Sequence, residues 1–343
     1  MATKLKDIAE KLNISVSTVS RVLNNRDRVD VKTQQRVKAM IKQLNYYPNG
    51  VARSLKSGNS EIFGIVVPDI SNQFYASVIK GLGKKAQQSK YSVFVCNSNG
   101  EIDMEEKLIQ FLLQKQVSGL AVATVGGKAN YFKQCIENKI PIIFFDNYPI
   151  MCKNCDYITI DNEKIAEQLT NHLLALKHEK IAIITGSQNE TSNVERLHGW
   201  KTAMALSGRK IDENDIYIGK FSLESGYEQM TAVLKSNEKY TAVLATDNYL
   251  AYGAIRAIQE SGLKIPEDIA IVCFDAKDET ELIRPQITSF IQPAEEIGSI
   301  AAELLIRRIN NSKSWVFHKV ILEPEFIIKQ SCGYYLTHPK INQ

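Results

Sequence analysis

The sequence predicts an α/β protein, a small helical domain followed by two doubly wound lobes built on parallel sheets. Three observations carry that prediction. After Gly58, short apolar runs alternate with longer stretches of helical period. That alternation comes in two successive sets. Before Gly58 the pattern is helical throughout and the charge is strongly basic. A length of 343 residues is more than one compact core usually covers, which agrees with several domains. With 44% hydrophobic and 23% charged residues, the composition excludes a disordered chain. The longest apolar runs, among them Ile140 to Phe145 with its proline, are too short to span a bilayer. Met1 to Lys11 has no apolar signal-peptide core. The expectation is a protein that is neither secreted nor embedded in a membrane.

The first 60 residues hold twelve Lys and Arg against four Asp and Glu, a net of +8, while the remainder carries −4. A basic module on a mildly acidic body is the footprint of a polyanion binder, although a solvated basic face looks the same on charge alone. Three helical patterns follow one another. Leu5, Ile8, Ala9 and Leu12 share one face of the first. Asn13 and Ile14 form a turn, and Ser15 is a good cap for the second helix. That helix buries Val19, Val22 and Leu23 and shows Ser17, Ser20, Arg21 and Asn24 on its other side. Such side chains reach phosphates and base edges. The third helix begins near Asp30 and buries Val37, Met40, Ile41 and Leu44. Two short helices joined by a tight turn and braced by a third make a helix-turn-helix.

In the body, Ile62 to Val67 reads as a strand and Asn72 to Ser89 as a helix. Ser92–Cys96, Gly119–Thr124 and Ile140–Phe145 read as further strands, with helices at Asp103–Gln116 and Ala129–Asn138. The second set places strands near Lys180–Thr185, Ile216–Ile218, Ala242–Ala245 and Ile269–Phe274. Two such sets imply two lobes with a cleft between them, and open parallel sheets bind ligands beyond the carboxyl ends of their strands. At those ends stand Phe74, Tyr75, Asp146, Asp161, Phe221, Asp247, Asp275 and Gln292, with Arg196 in Glu195-Arg-Leu-His-Gly-Trp200. Carboxylates and an arginine bind paired hydroxyls, and aromatic rings cover the apolar face of a sugar. Each carboxylate also reads as a helix cap, and each aromatic as core.

Catalytic and metal chemistry find little support. Gly81-Leu-Gly-Lys-Lys-Ala86 matches a dinucleotide-type string but lies inside a helical stretch. No P-loop or G-x-S-x-G elbow is present, and His172, His178, His198, His318 and His338 lack metal spacing. Most of the six cysteines sit in or beside apolar strand-like runs, where they read as buried small hydrophobes. Cys152-Lys-Asn-Cys155 has no second ligand pair nearby. No metal and no cofactor are expected.

Lys6-Asp-Ile-Ala-Glu-Lys-Leu-Asn-Ile-Ser-Val-Ser-Thr-Val-Ser-Arg-Val-Leu-Asn24 resembles the N-terminal signature of the LacI/GalR family of bacterial transcription regulators. Asn45-Tyr-Tyr-Pro-Asn-Gly-Val-Ala-Arg-Ser-Leu55 resembles the family's segment running into its hinge helix. Asn13 stands where the family has Gly, and Asn tolerates the left-handed backbone of that turn. The resemblance implies a helix-turn-helix domain at 1–47, a hinge helix and linker at 48–60, and a periplasmic-binding-protein-like (type I) body at 61–332. Lobe 1 would take 61–161 and 292–322, lobe 2 would take 162–291 and 323–332, and 333–343 would be a tail without leucine heptads. It implies that Val16, Ser17 and Arg21 face the major groove, with Arg21 suited to a guanine. It places Lys6, Ser15, Ser20, Asn24, Tyr46, Asn49, Val51 and Ala52 at the DNA as well. Leu55 matches the leucine that wedges into the minor groove, and Pro48 starts a hinge helix too short to be stable alone.

In the body, Arg196 matches the family arginine that binds effector, and Asp275 the aspartate of its Gly-Phe-Asp motif, here with Cys273 for Gly. The family's usual Asn-Asp pair is Thr246-Asp247 here, which removes an amide from the pocket. The implied partners are a pseudo-palindromic double-stranded DNA operator, a small-molecule effector of carbohydrate type and a second copy in a homodimer. The implied function is a cytoplasmic regulator, a repressor whose operator affinity the effector switches. A regulator with a phosphocarrier protein as coeffector is the alternative. A solute receptor would need an export signal and no helix-turn-helix.

Overall fold

The computed structural model describes residues 4–23, 29–44, 46, 60–126, 130–150, 154–278, 282–311 and 316–338. The chain divides into two compact units, 1–60 and 61–343.

The first unit contains α1 (Leu5–Leu12), α2 (Val16–Leu23) and α3 (Val31–Gln43). Ile8, Ala9, Leu12, Val19, Val22 and Val37 form its core, one stripe from each helix. Asn13 ends α1 in the left-handed conformation (φ 53°, ψ 48°), which a short polar side chain tolerates better than most. Ser15 Oγ accepts from Thr18 N at 3.1 Å and starts α2. Asp30 accepts from Thr33 N at 2.9 Å and starts α3. Asn24, Pro48, Asn49, Gly50, Val51, Ala52, Leu55, Ser57 and Cys152 lie outside the described residues.

The second unit has two six-stranded sheets. Sheet 1 contains β1 (Ile62–Val67), β2 (Ser92–Asn97), β3 (Gly119–Val122), β4 (Ile142–Phe145), β5 (Asp156–Ile160) and β11 (Lys319–Leu322), in the order β11-β5-β4-β3-β1-β2, all parallel. Sheet 2 contains β6 (Ile181–Thr185), β7 (Ile216–Ile218), β8 (Ala242–Ala245), β9 (Ala270–Phe274), β10 (Thr288–Ile291) and β12 (Glu325–Ile327), in the order β12-β10-β9-β8-β6-β7. Only β12 runs antiparallel, against β10. The sheets therefore repeat one topology, with a reversal of winding between β1 and β3 and again between β6 and β8.

Helices cover both faces of each sheet. On sheet 1 these are α4 (Gln73–Gln88) and α11 (Ala294–Asn310) on one side, with α5 (Ile102–Gln114) and α6 (Asn130–Glu137) on the other. On sheet 2 they are α9 (Leu223–Lys235) and α10 (Asn248–Glu260) opposite α7 (Asn162–Ala175) and α8 (Thr191–Leu206). A final short helix, α12 (Tyr334–Thr337), follows β12. Phe63, Ile65 and Val67 face α4 and α11, while Val66 faces the other side. Burial on both faces is why β1 reads as an unbroken apolar run.

Several boundaries differ from the expectation. The helix expected to reach Gln116 stops at Gln114, because Gln116 takes φ 54°. Val117 N then returns to Leu112 O and Gln116 N to Leu113 O, closing the helix end. Lys90, Lys139 and Lys177 close α4, α6 and α7 in the same way, all without glycine.

The helix pairs cross at glycines. A Cβ on Gly81 of α4 would lie 2.0 Å from Glu295 O, and one on Gly298 of α11 would lie 2.0 Å from Val78 O. The dinucleotide-like string is thus half of a helix crossing. Gly298→Ala is expected to destabilise the second unit by about 1–3 kcal/mol, despite alanine's better helix propensity. Urea unfolding measures this.

Candidate functional site

The two sheets point their carboxyl ends at one cleft of about 920 Å³. Asp146 follows β4 and Asp275 follows β9, and both are left-handed, with φ 62° and 58°. Each sends its backbone N–H back to the neighbouring strand, Asp146 to Ile158 O at 2.9 Å and Asp275 to Phe290 O at 2.8 Å. The same kink thus ends equivalent strands in both lobes, and both aspartates line the cleft. Asp247 follows β8 and caps α10, accepting from Tyr249 N at 2.7 Å and Leu250 N at 3.4 Å. Asn72 caps α4 and so sets Phe74 and Tyr75 in its first turn.

Arg196, 4% exposed, projects from α8. Its Nε donates to Asn162 Oδ1 at 2.8 Å and its Nη1 to Thr246 O at 2.6 Å. The guanidinium lies 4.0 Å from the centre of the Phe274 ring. Gln292 donates to both oxygens of Asp275, from N at 2.9 Å and from Nε2 at 2.7 Å. Tyr75 donates to Asp146 Oδ2 at 2.9 Å. The lobes meet at Asn147, which follows β4. Its Nδ2 donates to Glu190 Oε2 at 3.0 Å and its Oδ1 accepts from Ser192 N at 2.9 Å.

Burial dominates the acid-base properties. It pushes Asp146 and Asp247 up to about 6, and Glu190 up to about 8 with further help from the charges of Asp146 and Asp247. Asp275 is raised by burial too, with Arg196 pulling the other way. A raised carboxyl binds its proton more tightly in the folded chain. Its stabilising contribution is complete below the ordinary value of 4.5 for Glu190 and is lost as the pH rises to about 8. Glu190→Gln removes that loss. Calorimetric melting is expected to show the variant more stable than the parent above pH 8, with the two converging near pH 5.

Of the nine residues expected at this site, Phe74, Tyr75, Asp146, Arg196, Phe221, Asp247, Asp275 and Gln292 line the cleft. Asp161 does not. It is exposed and caps α7, accepting from Lys164 N at 3.1 Å. Its side chain serves a helix cap away from the cleft, whereas Asp247 caps α10 and still lines it. Thr246 stands behind the cleft. Its hydroxyl joins a fully buried network with Thr185 and Asn193, and only its carbonyl serves Arg196. Glu190, Asn72 and Asn147 were missed. Asn72 and Glu190 belong to loops that follow strands β1 and β6, and reading every such loop would have found them.

In the first unit, Val16, Ser17 and Arg21 of α2 are exposed, and Ser20 is half-buried. Lys6 is exposed beside Glu10 at 3.6 Å. Ser15 spends its hydroxyl on the α2 cap, and Tyr46 packs against the three-helix core.

Residues 60–329 match the family model of periplasmic binding proteins and the sugar binding domain of the LacI family. Residues 4–49 match that of the bacterial regulatory proteins of the lacI family. The chain belongs to the LacI family. It is 33% identical to the HTH-type transcriptional regulator RegA of Clostridium saccharobutylicum, over 96% of this chain and 99% of that one. It is 32% identical to catabolite control protein A of Priestia megaterium, over 90% and 93%. Its structure is similar to that of the lac repressor dimer bound to operator and the anti-inducer ONPF, with 25% identity, a TM-score of 0.85 and coverage of 97% and 99%. The regulator thus pairs a DNA-binding unit with a sugar-binding type of body. Among its described residues no helix is long and apolar enough to cross a membrane.

Proposed function

We propose that this regulator represses transcription from a pseudo-palindromic operator, in the cytoplasm and without catalytic activity of its own, and that a carbohydrate-like effector in the cleft switches its grip on DNA. The observation that carries this reading is the cleft itself. Its acids follow strands of both lobes and Arg196 projects from α8, so a bound ligand touches both lobes at once. A ligand biases the lobe arrangement only by as much as it binds one arrangement better than the other. Val16, Ser17 and Arg21 of α2 read the major groove, supported by the polar exposed face of that helix. Leu55, within the hinge segment 48–60, wedges into the central base step.

The regulator acts as a dimer, and the lac repressor of similar structure is a dimer on its operator. Sheet 1 offers a surface for the pairing. Its edge strand β2 leaves Phe94 at 45% and Val95 at 42% exposure, beside Phe111 at 38%. Phe94→Glu is expected to shift sedimentation velocity from dimer to monomer.

Arg21→Ala is expected to cost about 1–3 kcal/mol of operator binding and to relax the preference at one base pair, read by fluorescence anisotropy. The switch is tested on the intact chain. An effector at about a hundred times its dissociation constant stabilises the fold by about 2.7 kcal/mol, and the same ligand should change operator affinity. A stabilising ligand that leaves operator affinity unchanged would overturn the switch. If a phosphocarrier protein is the coeffector, only that protein changes operator affinity.

A further inference from the structure

The cleft holds more acceptor capacity than its own residues answer. Asp146, Glu190, Asp247 and Asp275 line it against one guanidinium, that of Arg196. Arg196 has already committed Nε to Asn162 and Nη1 to Thr246 O. Gln292 gives its backbone N–H and one N–H of Nε2 to Asp275, and its side-chain amide also bonds Asp146. The Oε1 of Gln292 is left with no hydrogen-bond partner among the described residues, on a side chain only 5% exposed that lines the cleft. A buried acceptor in that condition carries its desolvation cost until a donor arrives. Asp247 uses only Oδ1 on its helix, and Glu190 only Oε2 on Asn147. Asp69, Glu101 and Asp103 also line the cleft, where Lys220 is the second basic residue beside Arg196.

Three ligand chemistries meet this inventory differently. A phosphate or carboxylate would be buried beside like charges, which opposes its binding. A neutral polyol supplies donors and leaves the charge unanswered. A protonated amine on a hydroxylated body supplies donors for Gln292 Oε1 and the carboxylate oxygens, and positive charge as well. We infer that the effector is a cationic polyhydroxy compound, a sugar or sugar-like molecule whose protonated amine is received by Glu190, Asp247 and the side-chain carbonyl of Gln292. This rests on the reading of the cleft as the effector site and specifies the ligand. Burial holds the proton on Glu190 up to about pH 8, and a cation beside it would favour the ionised form, so an amine would displace that proton.

Isothermal titration of the full chain with matched sugars tests this. The panel is glucosamine, galactosamine and the β-1,4 dimer of glucosamine, each beside its N-acetylated and parent neutral forms, with glucose 6-phosphate and glucuronate as anions. N-acetylation keeps the sugar body and removes the charge. An amine is expected to bind about a hundredfold tighter than its N-acetylated form, with no binding of either anion. Glu190→Gln and Asp247→Asn keep shape, and Asn keeps the helix cap, so each should erase most of the amine's advantage. A neutral sugar binding as tightly as its amine, or either anion binding, would overturn the inference and leave the cleft reading intact. Failure of every sugar would overturn the cleft reading and this inference with it.

Discussion

A single buried guanidinium, that of Arg196, ties together the carboxyl ends of β8 and β9 and the start of α7. It takes the carbonyl of Thr246, lies over the Phe274 ring and holds Asn162. It also pulls Asp146, Asp247 and Asp275 toward ionisation while burial pushes them the other way. A buried charge with fixed hydrogen bonds is costly to move, so the surrounding strand ends are held in one arrangement. The acids of the cleft take their positions and their charge from that arrangement.

The lobes themselves meet through small polar contacts. Asn147 reaches Glu190 and Ser192, Asn72 Nδ2 donates to Asn248 Oδ1 at 3.1 Å, and the Ser71 hydroxyl lies 3.1 Å from that of Tyr249. Gly126 faces Asn189 so closely that a Cβ there would lie 2.2 Å from its carbonyl oxygen. Each lobe has its own apolar core on both faces of its sheet. Between rigid lobes, single hydrogen bonds worth about 0.5–1.5 kcal/mol each are the adjustable element. A ligand that spans the cleft competes on that scale, which is the scale of ordinary allosteric coupling. The chain crosses between lobes after β5, after β10 and between β11 and β12.

Much of this architecture was legible beforehand. β1 and the β4 run announce themselves because a strand buried on both faces must be apolar throughout. Ser15 and Asp30 mark their helix starts because a side-chain oxygen satisfies the first free N–H groups. The turn after α1 was readable in Asn13. The non-glycine helix ends at Lys90, Gln116, Lys139 and Lys177 were not, because nothing in those side chains signals a left-handed backbone.

By itself the sequence determined the class of every layer, the basic three-helix unit and the set of strand-end residues from which the cleft is drawn. Tertiary structure alone decided among them. Asp146, Asp161 and Asp275 all follow strands, yet two kink into the cleft and one caps a helix in solvent. Glu190 and Asn147 acquire their roles only because two lobes, far apart in sequence, bring an acid and an amide within 3.0 Å. Local propensity reports what a residue does within its own turn or strand. Which groups share a buried space is set by packing over long separations, and the charge and hydrogen-bond deficit of the cleft exist only there.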